Sequence, residues 1–155
     1  MGELRVQAQE ISAEDSWRLV SWLIQRGSNE FTIACLSGPS PEARFCKASA
    51  EALSDFVIDP QLRPRSTRLV RDPPKIKTPL WRLDERSLAV VRTLMPDGIF
   101  TDSQGSTDGW IEDLTVYDNG GGIRLGVVTH EHEAILNVTD AERKQLRDLR
   151  LLPRE

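Results

Sequence analysis

The sequence is poor in the residues that staple small folds or carry out chemistry. Its 155 residues include only two cysteines, two histidines, one tyrosine and two methionines. Two cysteines, Cys35 and Cys46, make no disulfide framework, which points to a reducing compartment, and a cytoplasmic location is expected. They lie in apolar segments on either side of SGPSPE, where a hairpin would set the two thiols nearly opposite each other. As small buried hydrophobes they need no pairing, and whether they pair stays open.

Long apolar runs are missing as well. Nowhere do 18 consecutive apolar residues occur, and MGELRVQAQEISAED has no basic stretch followed by an apolar one, so neither a membrane span nor an export signal is expected. A positive excess is also lacking: 24 acidic against 20 basic residues give a net charge of −4, which argues against a dedicated nucleic-acid binder. Catalytic signatures are absent too. NGGGIRLG is rich in glycine but leads into a β-prone segment, whereas a phosphate loop leads into a helix and carries a Lys-Ser/Thr pair. No Gly-x-Ser-x-Gly elbow occurs, and neither cysteine has the local signature of a nucleophile.

What is present is an ordinary globular composition, 39% hydrophobic and 28% charged, in a chain long enough for one domain with its own core. ISAEDSWRLVSWLIQRG predicts a helix capped by Ser12 and ended by Gly27. Trp17, Val20, Leu23 and Ile24 recur at helical spacing there, with Leu19 and Trp22 widening the stripe. LDERSLAVVRTLMPDG predicts a second helix, capped by Asp84 and stopped by Pro96 and Gly98, with Leu88, Val91, Leu94 and Met95 facing inward. Thr139 and Glu142 form a capping box before a third, whose Leu146 and Leu149 are expected inside. A fourth is expected from Ser49, burying Ala52, Leu53, Phe56 and Val57.

Between the two halves lies a compositional shift. Residues 59–80 hold five of the nine prolines and six Lys or Arg against two Asp. This segment reads as a semi-extended basic connector, with STRLVR as one short strand inside it. Hairpins are expected on both sides: EFTIACLS with ARFCKAS in the first half, WIEDLTVYD with GIRLGVVTH around NGGG in the second. The outline is helix, hairpin, helix repeated twice with few identical residues, which raises a duplication as an expectation.

Both histidines sit in VVTHEHEAI. A strand over 123–138 would be about three times the usual length, so the chain is expected to turn near Glu131 to Glu133 and return as AILNV, giving a three-stranded meander. If the backbone stays extended, His130 and His132 share a face, as metal ligands do. A catalytic zinc needs three protein ligands, however, and there is no third histidine, so no metal or other cofactor is expected. TDSQGSTDGWIED adds Asp102, Asp108, Glu112 and Asp113 at spacings that fit no calcium loop, and it reads as an acidic surface.

The expectation is therefore an α+β domain over residues 1–155: a mostly antiparallel sheet of five to six strands with about four helices. Two functions stay open. The first is a small acidic cytosolic protein-binding module of inhibitor, immunity or adaptor type, which occupies a protein partner with a basic surface and needs no catalysis. Asp108, Trp110, Glu112, Asp113, Tyr117, Glu131 and Glu133 are its expected contact residues, with aromatics as anchors among carboxylates. The second is a small metal-dependent enzyme centred on His130 and His132.

Overall fold

The computed structural model describes residues 1–36, 47–66, 75–101, 103–106 and 109–153, leaving aside the side chains of 35, 36, 47, 48, 62, 66, 75–77, 103–106, 109 and 110. In chain order the elements are β1 (Gly2–Gln7), α1 (Ala13–Gln25), β2 (Ser28–Leu36), α2 (Lys47–Ala52), β3 (Val57–Ser66) and β4 (Lys75–Arg82). They continue with α3 (Glu85–Leu94), β5 (Ser103–Ser106), β6 (Gly109–Asp118), β7 (Ile123–Val128), β8 (Glu133–Val138) and α4 (Asp140–Asp148).

Three helices start where local chemistry places them. Ser12 accepts the Asp15 amide at 3.1 Å, Asp84 accepts the amides of Arg86 and Ser87, and Thr139 and Glu142 cap each other reciprocally. Trp17, Leu19, Val20 and Leu23 of α1, Leu88 and Val91 of α3 and Leu146 of α4 are buried in one core. Gly98 lets the segment after α3 approach α1: its φ is +97°, and a Cβ there would lie 3.1 Å from Ala13. At the end of α4 the expectation needs correction. Leu149 is 42% exposed, and Leu151 and Leu152, just past the helix, are buried instead. In the same way Leu53 and Phe56 are buried after α2, whereas Ala52 and Val57 are exposed.

Among the described residues eight strands form one sheet, ordered β1-β8-β7-β6-β2-β4-β3, with β5 also paired to β6. Every pairing is antiparallel. Among the described residues the class is thus α+β with four helices, and the sheet is larger than the five to six strands expected. Alternation along the strands puts Phe31, Ile33, Trp81, Val116, Leu125 and Leu136 on the core face. Phe31 and Trp81 stack there at 5.5 Å between centroids.

The connector reading is corrected. Residues 57–66 and 75–82 are β3 and β4, paired from Val57↔Trp81 to Ser66↔Lys75. Pro60 and Pro64 lie on β3, which among the described residues is an edge strand, the place in a sheet where proline is tolerated. Asp59 gathers the basic residues beside it, accepting Arg63 Nε at 2.8 Å and Arg65 Nη2 at 2.9 Å. Most of STRLVR lies outside the described residues.

The first-half hairpin falls largely outside the described residues. β2 lies between β4 and β6, and residues 47–52 are helical; Cys46 and the rest of ARFCKAS before it fall outside the described residues. In the second half the meander β6-β7-β8 forms as expected. Its first turn closes on Asp118, whose carboxylate accepts the amides of Gly120 and Gly122. A Cβ at Gly122 would lie 2.8 Å from that carboxylate, which would have to shift to admit one. Among the described residues no helix is long and apolar enough to cross a membrane.

Candidate functional site

The meander's second turn brings the candidate residues together, and it is held from several sides. β7 ends at Val128, Thr129–Glu131 make one 3-10 turn, and His132 takes left-handed backbone at φ 54° before β8 begins. The His132 amide donates to the Thr129 carbonyl at 3.0 Å. From the end of β1, the Ala8 amide donates to the His132 carbonyl at 2.8 Å.

The third hold comes from β6. Its core positions are Ile111, Leu114 and Val116, so the alternation slips by one residue between 111 and 114. The register with β2 shifts at the same place, between Thr32↔Thr115 and Ala34↔Glu112. Asp113 occupies this bulge at φ 51°. Its amide donates to Thr129 Oγ1 at 2.9 Å, and its carboxylate Oδ1 accepts the Thr129 amide at 2.8 Å. β6 is flanked by β5 near Ile111 and by β7 from Thr115 onward, and the Asp113–Thr129 pair bridges the interval between them.

Against this frame the expected contact residues separate. Glu131 is exposed, with 54% of its side chain accessible, and Glu112 is half-buried and has a partner. Asp113 is buried in the bulge. Glu133 is also buried; its carboxylate accepts Arg5 Nη1 at 3.1 Å and Gln7 Nε2 at 2.6 Å across the β1–β8 ladder. Tyr117 is 7% exposed and sits toward the other end of β6, its hydroxyl 3.3 Å from Thr32 Oγ1. Burial pushes its phenol pKa up, against the Thr32 hydrogen bond and the Arg65 charge. Asp108 and the Trp110 side chain lie outside the described residues, although the Trp110 backbone pairs with Leu36 in the sheet. Within the expected acidic face, Asp113 and Glu133 are thus buried and hydrogen-bonded inside the fold, and Tyr117 is buried with its hydroxyl beside Thr32.

The common face proposed for the histidines also fails, because that required extended backbone. His130 lies in the 3-10 turn and His132 is left-handed, and both are exposed. The ionic neighbour of His130 among the described residues is Glu131, 3.7 Å away. No group of three or more His, Cys, Asp or Glu is arranged as metal ligands among those residues. No protein-family model matches the chain, and no curated protein and no solved structure matches it either.

Sequence reasoning missed Asp113–Thr129, Gln7 and Arg5. The slip in alternation along WIEDLTVYD marks the bulge and was the available signal. The β1 residues had none, since their role depends on pairing with a strand about 130 positions later. Chemically, the site is a stiff turn that offers polar groups outward, with the structural carboxylates kept beneath it.

Proposed function

We propose that this chain is a non-enzymatic protein-binding module that engages a partner with a basic surface through the turn at residues 129–132, in the manner of small acidic inhibitor, immunity or adaptor proteins. One observation carries this reading. The turn is fixed by the Asp113–Thr129 pair and by the Ala8–His132 backbone bond, yet the side chains of His130, Glu131 and His132 are exposed on it. A group held rigid before binding loses little conformational entropy on association, which is how a small surface gains affinity. The net charge of −4 supports attraction to a basic partner, chiefly by speeding encounter.

The test is affinity capture of a partner from the native host, followed by association kinetics with Glu131→Lys and Glu131→Gln. Both variants should associate several-fold more slowly at low salt, and the difference should shrink at high salt. A Glu131→Lys chain that keeps its circular dichroism and associates at the wild-type rate places the interface elsewhere.

A further inference from the structure

The sheet carries a second feature at the opposite end of β6 and β7. On the face away from the core, a groove of about 320 Å³ is lined by Glu30, Pro64, Arg65, Leu80, Tyr117 and Ile123 among others. Its floor follows from the register. Glu30 lies directly across from Tyr117 in the β2–β6 ladder, and Tyr117 directly across from Ile123 in the β6–β7 ladder. Alternation with Phe31, Val116 and Trp81, all in the core, turns Glu30, Tyr117 and Leu80 to this face.

The charges in the groove are unequally committed. Arg65 is occupied, with Nη2 on Asp59 Oδ2 at 2.9 Å and Nε on the Thr78 carbonyl at 3.2 Å. Arg82, across the other ladder from Glu30, has its Nε on Asp84 at 3.0 Å and its guanidinium over the Phe56 ring. Glu30 is half-buried and makes no side-chain hydrogen bond or ion pair among the described residues. Among the described residues the uncommitted charge of the groove is therefore one carboxylate, set beside an aromatic ring and walled by Pro64, Leu80 and Ile123.

We propose that this groove receives one lysine or arginine side chain from a protein partner, its methylenes against Leu80 and Ile123 and its cationic head on Glu30 beside Tyr117. Long cationic side chains combine an apolar stem with a charged end, and an aromatic face adds attraction for the head. A phosphate-bearing ligand would need the guanidinium of Arg65, which is already held. A metal ion would need more ligands than the one free carboxylate. The proposal rests on the reading of a basic protein partner. Along the six residues of β7 the groove lies roughly 20 Å from the 129–132 turn, so the two sites can be tested separately.

The experiment titrates the isotopically labelled full chain with N-acetyl-arginine amide, N-acetyl-lysine amide and N-acetyl-glutamate amide, following the Ile123 methyl and Tyr117 ring resonances. Either cationic amide should shift both saturably at millimolar concentration, with weakening as salt rises, and Glu30→Gln should reduce the affinity at least fivefold. The absence of saturable shifts, equal affinity in folded Glu30→Gln, or saturation by the glutamate amide overturns the proposal. Should Glu30→Gln fail to fold, the salt dependence and the charge selectivity of the wild-type chain decide it in the same way. If the cationic amides do not bind while association of a captured partner still depends on Glu131, the groove is overturned and the binding reading stands.

Discussion

Asp113 and Thr129, 16 positions apart, exchange two buried hydrogen bonds: amide to hydroxyl at 2.9 Å, and amide to carboxylate at 2.8 Å. Through this pair a side chain replaces ladder bonds at the point where the neighbour of β6 changes from β5 to β7. The turn that carries Glu131 is thereby tied to the middle of the sheet. We predict that Asp113→Ala costs about 2–3 kcal/mol, because a buried amide loses a charged acceptor. Thr129→Val should cost about 1–2 kcal/mol and couple strongly to Asp113→Ala. Urea midpoints of the two single variants and the double variant measure this; additive losses would mean the two residues act independently.

A second prediction concerns the edge of the sheet. Among the described residues β1 pairs only with β8, and two groups on its open side are covered by side chains. The Gln7 amide donates to Glu10 Oε2 at 2.7 Å, and the Glu3 carbonyl accepts Arg143 Nη2 at 3.4 Å. Unpaired backbone along a sheet edge is a template for another strand, and such covers reduce the danger. Glu10→Ala with Arg143→Ala should therefore self-associate at concentrations where the wild type stays monodisperse in sedimentation. Identical sedimentation of the two proteins would show that the covers are incidental.

Features set by neighbouring residues were legible in the sequence. The caps at Ser12, Asp84 and Thr139 and the glycine turn after Asp118 depend on contacts a few residues apart, and each is where the pattern puts it. Features set by distant pairing were not. The composition of β3, rich in proline and basic residues, reads as a connector, while its place at the sheet edge among the described residues, which makes Pro60 and Pro64 tolerable, follows from the whole topology. Glu131 and Glu133 look alike in the sequence. The left-handed backbone of His132 between them, and the arrival of Arg5 and Gln7, leave one exposed and bury the other.

A third prediction follows from the caps and from pH. Burial, the largest influence on Glu142, acts to raise its pKa, but the Thr139 amide and the Arg124 guanidinium together hold it below its ordinary value. For Asp84 burial is again largest and is outweighed by the Ser87 amide, Arg82 and the Arg86 amide. Asp15 is lowered by the Arg18 and Ser12 hydrogen bonds. A carboxylate with a depressed folded pKa contributes stability that is present above its unfolded pKa and is lost as pH falls through the folded value. Stability from Glu142 should therefore hold from neutral pH down to about 4.5, its ordinary value, and that from Asp15 and Asp84 down to about 3.8, each falling below that point. Glu142→Gln should be less stable at pH 7 and lose less on acidification; an acid loss equal to that of the wild type would remove Glu142 from the account.

The last prediction separates fold from recognition at His132. A left-handed non-glycine residue carries a strain of roughly 1–2 kcal/mol, while glycine adopts that backbone freely but costs about 0.5–1 kcal/mol in conformational entropy. The two effects nearly offset, so His132→Gly should unfold within about 1 kcal/mol of the wild type. A β-branched residue has no such relief, and His132→Val should lose more than about 1 kcal/mol. The imidazole is exposed, so its removal should leave the turn in place. If the turn is the recognition surface, His132→Gly should nonetheless bind the captured partner more weakly, chiefly through faster dissociation. Wild-type dissociation from His132→Gly would make the left-handed histidine a turn residue alone, and recognition would then have to rest on Glu131 and His130.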